Sequence, residues 1–488
     1  MSHPISQLNP KALWSHFTQL NAVPRPSKKE ERVQAWVMGL GKEWGLETSM
    51  DEVGNVLIRK PATSGMENRV GVVLQSHLDM VCQKNNETIF DFDTEGIRMY
   101  IDGDWVRADG TTLGADNGIG VAAILGVLAS TDIPHPSLEA LFTIDEETGM
   151  TGALGLKGGF LTGNILLNLD TEDDDELSIG CAGGVDVTSS GSYELEPTAP
   201  DVLHVQLTIK GGSGGHSGMD ITKGIANVNK VMNRILLVAI ESVDFRIASI
   251  HGGGLRNAIP RESTCRFVID PSDLAGFNEA VSNEMLRVQA EHRTTDPDLN
   301  WELTQGADPI EKVISEEEQE LLLLAIQACP VGIHRMSPEI EGLVQTSNNL
   351  AQVSVTNGLV SLRCLCRSSV DSEKDDHARS IAAAFALAGL ETAYDGSYPG
   401  WTPNPGSEVV SLFKGLYEEQ FGESPRVLAC HAGLECGILG TNYPDMDMVS
   451  FGPNIRGAHS PDECVQISSV QKFWGFFLEG LSRIPIKA

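Results

Sequence analysis

Five residues of types that bind metal ions lie at the ends of predicted strands or in loops: His77, Asp116, Glu147, Asp170 and His459. Two imidazoles and three carboxylates are a sufficient ligand set for two divalent cations if one carboxylate bridges the pair and a shared water completes each shell. With Asp116 as the bridge, each cation receives one histidine and one further carboxylate. Charge also balances, because three carboxylates and a bridging hydroxide carry as many negative charges as two divalent cations carry positive.

Two further acids accompany these candidate ligands. Asp79 follows His77 by two residues, and the two-residue period of an extended chain places both side chains on one side, where a carboxylate can orient a ligating imidazole. Glu146 directly precedes Glu147 and is not needed as a ligand. It is therefore available to transfer protons.

Each candidate also has an ordinary interpretation. Asp116 lies in the Gly-rich stretch 110–120, where it can cap a helix, and a phosphate loop is disfavoured because the stretch lacks the lysine and the glycine spacing. A lone histidine such as His77 or His459 and a pair of acids such as Glu146-Glu147 are usually structural or surface residues. Only their common position supports a metal site.

That common position follows from the apolar runs of the sequence. Strands are predicted at 69–74, 138–144, 164–169 and 446–451, and a buried helix, capped by Asp116-Asn117, at 118–129. Four of the five candidates follow these strands, and Asp116 stands at the start of the helix. Because open α/β sheets bind ligands at the carboxyl ends of their strands, we expect all five at one edge of one sheet.

The middle of the chain has a different texture. From about residue 187, strands that alternate apolar and polar residues, at 203–209, 263–269 and 359–366, are interspersed with helices at 226–242, 274–292 and 315–328, a pattern that suggests two tandem strand-helix units. The predicted fold class is therefore α/β, a mixed-sheet domain formed by residues 1–186 and 402–488 and interrupted by an α+β domain at 187–401. A Pro/Gly-rich stretch at 400–405 marks the second boundary, and helices at 407–421 and 470–484 follow.

Composition excludes several classes of protein. The 488 residues carry a formal net charge of −32 without Lys/Arg stripes, so neither nucleic acid nor an anionic membrane is an expected partner. Nine scattered cysteines without a CxxC pair favour a reducing compartment over a disulfide framework. We find neither a secretion signal nor an apolar run of spanning length, and we expect a cytoplasmic protein.

Five motif blocks stand in the order of a known family: SHLDMV, GADNGIG, DEETG, NLDTED and GAHSPDE. The chain resembles, over nearly its whole length, the co-catalytic zinc metallopeptidases that include aminoacylases, glutamate carboxypeptidases, peptidase T and carnosinases. The segments HLDMVCQK, DGTTLGADNG and HAGLECG are similar, nearly residue for residue, to the Xaa-His dipeptidases of that family.

The resemblance implies roles for particular residues. It implies a catalytic domain with a lid, Glu146 as general base and acid, Asp79 orienting His77, and a non-proline cis peptide between Asp116 and Asn117. Substrate-binding residues carried over from the family are His216 in GGSGGHSG, Asn257 in RNAIP and Arg367 in RCLCRSS. For Glu435, contact with the substrate amine and a buried structural role are both open.

The expected activity is hydrolysis of dipeptides, preferentially Xaa-His, with two divalent metal ions, zinc first and manganese or cobalt as alternatives. A tripeptide aminopeptidase or an N-acyl-amino-acid deacylase would use the same ligands. A non-catalytic metal-bound scaffold is the alternative of another class, and the presence of Glu146 argues against it. The resemblance implies a homodimer, but the lid is about twice the minimal length, so a monomer with a doubled lid is also open.

Overall fold

A computed structural model of the protein describes residues 4–306, 308–404 and 406–487. The chain divides into two compact units. Unit 1 comprises residues 1–180, 403–429 and 434–488, and unit 2 comprises residues 181–402 and 430–433. The boundaries predicted from the sequence, 186/187 and 401/402, lie within six residues of these, but the sequence does not indicate the short segment 430–433. Pro405, at the end of the predicted boundary stretch, lies outside the described residues.

The described α-helices range from single turns to eighteen residues. They are α1 (Lys11–Leu20), α2 (Glu31–Glu43), α3 (Ala115–Ala129), α4 (Glu146–Gly149), α5 (Thr151–Gly155), α6 (Val228–Ile240), α7 (Leu274–Glu291), α8 (Glu316–Ala328), α9 (Asp371–Ala386), α10 (Glu408–Phe421), α11 (Glu435–Asn442) and α12 (Ile467–Arg483). Short 3-10 turns occupy Pro4–Gln7 and Ile221–Lys223.

The described strands are numbered in chain order. The first eight are β1 (Glu47–Met50), β2 (Val56–Lys60), β3 (Val72–His77), β4 (Met99–Asp102), β5 (Trp105–Ala108), β6 (Leu138–Thr143), β7 (Ile165–Asn168) and β8 (Glu176–Cys181). The next thirteen are β9 (Gly183–Ser192), β10 (Leu195–Pro197), β11 (Leu203–Lys210), β12 (Gly215–His216), β13 (Phe245–Gly252), β14 (Ala258–Ile259), β15 (Ser263–Ile269), β16 (Asn300–Gln305), β17 (Lys312–Ile314), β18 (Gly332–Met336), β19 (Val344–Thr356), β20 (Leu359–Ser368) and β21 (Glu391–Tyr398). The last four are β22 (Arg426–Cys430), β23 (Asp447–Ser450), β24 (Ile455–Arg456) and β25 (Cys464–Gln466).

The main sheet of unit 1 has the strand order β1-β2-β6-β3-β7-β23-β8-β22. Its four central strands, β6, β3, β7 and β23, are mutually parallel, and every residue of β3, β6 and β7 is buried. Parallel strands covered on both faces read as continuous apolar runs, which is why the sequence reveals them. Their carboxyl ends lie side by side.

Helices cover this sheet by their apolar faces. Phe473, Phe476 and Phe477 of α12 recur with helical spacing and are buried, and Phe476 packs edge-on against Phe413 of α10 and Phe451 beyond β23. Helix α3 is buried on nearly all sides, as its almost uninterrupted apolar sequence requires. A separate small sheet, β24-β25-β5-β4, joins the chain after β23 to the segment before α3.

Unit 2 contains a nine-stranded sheet in the order β16-β11-β15-β13-β19-β20-β9-β21, with β18 paired to β19. Across the residues that the structure describes, the strand pairs of this sheet are antiparallel. Helices α6 to α9 pack on this sheet around one apolar core that includes Phe245, Phe267 and Phe277. The strands of residues 203–305 (β16, β11, β15 and β13) form one half of this order, and β19, β20, β9 and β21 form the other, so the two tandem units that the sequence suggests would share one continuous sheet.

Most predicted elements match the structure within a few residues. Helix α3 starts at Ala115, but Asp116 and Asn117 interrupt it, so its regular part begins at Gly118 as predicted. Strand β3 runs from 72 to 77 rather than 69 to 74, so His77 ends the strand instead of following it. Ser315 and Ser407 are side-chain N-caps immediately before α8 and α10. Among the described residues, no helix has the length and apolar character needed to span a membrane.

Candidate metal centre

The four central strands of unit 1 deliver the predicted ligands to one edge of the sheet. His77 ends β3, Glu146 and Glu147 follow β6 at the start of α4, and Asp170 follows β7. His459 lies beyond β23 in the loop between β24 and β25, where its φ is +63°, a left-handed conformation unusual for a residue with a side chain. Asp116 comes from the first turn of α3. The fold thus brings together residues that are up to 382 positions apart.

Three of these side chains form a first group: His77, Asp116 and Asp170. Nε2 of His77 is 3.1 Å from Oδ1 of Asp116 and 3.6 Å from Oδ1 of Asp170. Burial lowers the pKa of His77, but the carboxylates of Asp170, Asp116 and Asp79 outweigh it and hold that pKa well above its ordinary value. Burial raises the pKa of Asp170 to about 6.

Asp116, Glu147 and His459 form a second group that shares Asp116 with the first. Nε2 of His459 is 3.3 Å from Oδ2 of Asp116 and 3.0 Å from Oε2 of Glu147. Hydrogen bonds to these two carboxylates raise the pKa of His459 to about 11. Asp116 therefore presents one oxygen to each group, which is the arrangement of a bridging carboxylate. The peptide bond between Asp116 and Asn117 is cis.

The spacing of these atoms suits ligands that share a cation. Two ligands of a tetrahedral zinc ion at roughly 2.05 Å lie about 3.3 Å apart. The four distances given above, 3.0 to 3.6 Å, bracket that value. The cluster also holds four carboxylates, those of Asp116, Glu146, Glu147 and Asp170, against two imidazoles, so its donor set is one that a divalent cation would neutralise.

Asp79 lies beneath this cluster and is fully buried. Its Oδ1 is 3.3 Å from Nδ1 of His77 and accepts the backbone N–H of Glu146, while its Oδ2 accepts the backbone N–H of Glu147 and the hydroxyl of Ser27. Burial alone would raise the pKa of Asp79, but these donors hold it below its ordinary value. One carboxylate thus fixes two candidate ligands and Glu146.

Glu146 belongs to the cluster through a third candidate group, which it forms with His77 and Glu147. Its Oε2 is 4.0 Å from Nε2 of His77. Burial, reinforced by Asp170, Glu147 and Glu435, raises the pKa of Glu146 well above its ordinary value, although His77 acts in the opposite direction. A carboxyl group with a raised pKa at this position has the character of a general base that can later act as an acid.

The interpretation of Asp116-Asn117 as helix-capping residues is wrong. The N-cap of α3 is Gly114, and Asp116 and Asn117 have non-helical backbone angles within its first turn. The backbone N–H groups there are instead capped by the distant side chain of Glu463. The carboxylate of Asp116 is consequently free to face the two histidines.

Two buried charged residues that support the cluster carry no signal in the sequence. Arg25 is 1 % exposed and donates to the carbonyl oxygens of Leu78, Asp79 and Gly114. Gly114 has a φ of +70°, and a Cβ there would lie 2.4 Å from the Arg25 guanidinium. Glu463 is the second such residue. Both bind backbone atoms, and such contacts leave no spacing pattern from which they could have been predicted.

Three predicted substrate-binding residues lie in unit 2. His216 is on β12, which pairs with β14, and the carbonyl of Asn257 accepts the N–H of Ser217, so these two residues are close together. Nδ1 of His216 accepts the backbone N–H groups of Gly218 and Met219. A neutral His216 ring therefore carries its proton on Nε2, which makes that atom a hydrogen-bond donor.

Arg367 of β20 is the third of these residues, and it is 5 % exposed. Its Nη1 donates to the hydroxyl of Tyr398, while its Nε has no hydrogen-bond partner and no carboxylate forms an ion pair with it in the part of the chain that the structure describes. His431 lies near Arg367 and forms a hydrogen bond with Ser347. Burial and the charge of Arg367 lower the pKa of His431 to about 3. A buried guanidinium with an Nε–H that lacks a partner has the chemistry needed to bind a carboxylate.

Glu435, at the start of α11 in unit 1, is fully buried. Its Oε2 accepts hydrogen bonds from Gln75 and Thr143, both at 2.6 Å, and Gln75 in turn accepts one from Asn168. Burial raises the pKa of Glu435 to about 8. Gln75 and Asn168 stand two residues before His77 and Asp170, so this polar network underlies the candidate ligands.

Comparisons with known proteins bear on this geometry. Residues 73–480 match the model of Peptidase family M20/M25/M40. The chain is 43% identical over 483 residues to the cytosol non-specific dipeptidase of Escherichia coli K12, with 99% of each chain covered.

Solved structures agree with this match. The aminoacylhistidine dipeptidase of Vibrio alginolyticus is similar with a TM-score of 0.90 and 43% identity, covering 100% of this chain and 99% of the other. A tripeptidase from Staphylococcus aureus shares the fold, with a TM-score of 0.57 at 17% identity over 98% of this chain and 99% of its own. The expected family and the expected α/β fold class are confirmed, and the chain belongs to Peptidase family M20/M25/M40.

Proposed function

We propose that the protein is a metal-dependent dipeptidase of the cytoplasm that hydrolyses Xaa-His and other dipeptides. The observation that carries this proposal is the convergence of His77, Asp116, Glu147, Asp170 and His459 on two overlapping ligand groups, with Glu146 beside them. The names of the two full-length relatives support dipeptide hydrolysis. One name is non-specific and the other specifies histidine, so the breadth of substrates needs measurement.

The five ligands would hold two divalent cations, zinc first and manganese or cobalt as alternatives. His77, Asp116 and Asp170 would bind one cation, and Asp116, Glu147 and His459 the other. Carboxylates that favour a proton on His77 and His459 favour a metal ion for the same electrostatic reason. When bound, the cations would polarise the scissile carbonyl and lower the pKa of a shared water.

The protein's own groups then perform the proton transfers and the binding. Glu146 accepts the proton of the attacking water and passes it to the amine that leaves, and its raised pKa suits both steps. Asp79 holds Glu146, Glu147 and His77 in place through the contacts described above. We propose that Arg367, Asn257 and the Nε2–H of His216 bind the substrate's carboxylate and carbonyl oxygen.

Paired substitutions of neighbouring acids test the proposal. Glu146→Gln should keep two metal ions per chain but lower kcat for Gly-His and β-Ala-His by about 100- to 10,000-fold, the usual contribution of a general base. Glu147→Gln, its matched control, should lose one metal ion. Metal content by elemental analysis and kcat after chelation and metal restoration are the measurements, and a Glu146→Gln protein with near-normal turnover would contradict the mechanism.

Substrate comparison separates the proposal from its alternatives. Hydrolysis of Gly-His well above that of Ala-Ala-Ala and N-acetyl amino acids is expected, and a preference for either of the latter would identify a tripeptide aminopeptidase or a deacylase. For assembly we propose a homodimer. Sedimentation at several concentrations tests this, and a monomer at all of them would indicate that the long unit 2 replaces the partner.

A further inference from the structure

Glu463 makes an unusual set of contacts. Its side chain is 2 % exposed, and it accepts hydrogen bonds from the backbone N–H groups of four consecutive residues. Oε2 accepts from Leu113 at 2.7 Å and Gly114 at 2.8 Å, and Oε1 accepts from Ala115 at 2.7 Å and Asp116 at 3.2 Å. A single carboxylate therefore fixes the whole turn that presents Asp116.

Glu463 stands four residues after His459 in a loop that is hydrogen-bonded within itself. The N–H of Glu463 donates to the carbonyl of Ser460, and both the N–H and the hydroxyl of Ser460 donate to the carbonyl of Gly457. These bonds tie the position of His459 to that of Glu463. Glu463 consequently links the loop of one candidate ligand to the turn of another, over a separation of 343 residues between Asp116 and His459.

The two ligand groups depend to different extents on the hydrogen bonds that Glu463 makes. The side chains of His77 and Asp170 are 1 % and 7 % exposed, so packing holds them, whereas the side chain of His459 is 56 % exposed. The turn of Asp116 has a second support, because Arg25 binds the carbonyl of Gly114. Loss of the Glu463 contacts would therefore displace His459 more than the other ligands.

We infer that Glu463 is a positioning residue that sets the affinity for one cation of the pair, the one held by Asp116, Glu147 and His459. The inference rests on the proposed function, since it requires two bound cations. Residues that hold metal ligands in place, without binding the metal themselves, typically contribute a factor of 10 to 100 to metal affinity. The other cation, held by His77, Asp116 and Asp170, should bind nearly as in the wild-type protein.

The substitution Glu463→Gln isolates the carboxylate. Glutamine keeps the shape of the side chain but turns one oxygen into an NH₂ group, which would face two N–H donors. Glu139 offers a matched control in unit 1: it is 6 % exposed and accepts the N–H groups of Thr162 and Gly163 at 2.7 and 2.8 Å, without contact to any candidate ligand. Glu139→Gln disrupts a similar set of hydrogen bonds between a carboxylate and backbone N–H groups, away from the candidate ligands.

Competition with a chromogenic chelator measures both zinc affinities in the metal-stripped and reloaded full chain. For Glu463→Gln we expect one of two zinc ions to bind about 10- to 100-fold more weakly, and the loss of kcat to be restored by excess zinc. Glu139→Gln should bind both ions as the wild-type protein does. Two unchanged affinities in folded Glu463→Gln, or an equal loss of both, would overturn the inference.

Two further results keep the outcome interpretable. If Glu463→Gln does not fold, Glu463→Asp, which retains both oxygens but withdraws them by one carbon, carries the same expectation. A wild-type protein that binds fewer than two ions would contradict the proposed function itself, and that result is distinct from any difference between the variants.

Discussion

The most informative single substitution is Asp79→Asn. Asp79 is fully buried, and its two oxygens receive the N–H groups of Glu146 and Glu147 at 3.1 and 3.2 Å, the hydroxyl of Ser27 at 2.8 Å and the ring of His77 at 3.3 Å. Asparagine has nearly the same shape but only one acceptor oxygen. Whichever way the amide is turned, its NH₂ group meets one of the two backbone donors.

The magnitude follows from those contacts. A hydrogen bond to a charged group contributes about 1.5 to 3 kcal/mol, and an unsatisfied buried donor costs about 1 to 3 kcal/mol. Asp79→Asn should therefore lower the free energy of unfolding by roughly 2.5 to 6 kcal/mol. Because His77 and Glu147 both lose their support, metal affinity should also fall about 10- to 100-fold, and kcat should fall further through the misplaced Glu146.

Asp51→Asn is the matched control. Asp51 is an aspartate of unit 1 that accepts the backbone N–H groups of Val53, Gly54 and Asn55 at 2.8 to 3.1 Å. Urea unfolding should show a loss of stability in both variants. Only Asp79→Asn should lose zinc affinity in a chelator competition and kcat at saturating Gly-His and zinc. If both variants lost stability alone, Asp79 would be a structural residue and the positioning argument would be refuted.

Two other predictions concern substrate binding and pH. Arg367→Gln should raise KM for Gly-His about 10- to 100-fold, which is the value of a charge-assisted hydrogen bond. KM for Gly-His amide, which lacks the carboxylate, should stay unchanged. Steady-state kinetics on both substrates measure this, and an equal rise in both KM values would contradict carboxylate recognition. Burial raises the pKa of Glu435 to about 8, whereas the ordinary pKa of a glutamate is about 4.3. The protonated side chain therefore stabilises the metal-free protein fully below about pH 4.3, and this contribution is lost as the pH rises to about 8. Urea unfolding at pH 5 and pH 9 should therefore show a smaller decrease for Glu435→Gln than for the wild-type protein, and identical decreases would contradict a protonated Glu435.

The parts of the site that can be predicted from the sequence are those that follow an apolar run. Strands β3, β6 and β7 are buried on both faces and so read as continuous apolar runs. Because parallel strands end at one edge of a sheet, the acids and the histidine at their ends can be placed together from the sequence alone. His459 is located by the same logic, as a loop residue beyond β23.

The residues that hold the candidate ligands in place have no comparable pattern in the sequence. Arg25 and Glu463 contact backbone carbonyl and N–H groups that belong to distant segments, and any residue type can supply those groups. A single arginine or glutamate in a loop also reads as a solvated surface residue. The same reasoning explains the error at Asp116: the start of α3 does require a cap, but Glu463 supplies it from the other end of the chain.

The order of strands explains how a long insertion leaves the site intact. Strands β6, β3 and β7 precede unit 2 in the chain, and they can pair with one another without any later residue. The insertion leaves after β8 and the chain returns through α10 and β22, so both junctions involve strands beyond the four central ones. Strand β23 then pairs with β7 and brings the loop of His459 with it. The first ligand group, His77 with Asp116 and Asp170, is thus built from residues before the insertion. The second also needs His459, an exposed residue of the loop that follows β23 and contains Glu463, and the two cations should therefore differ in their dependence on Glu463.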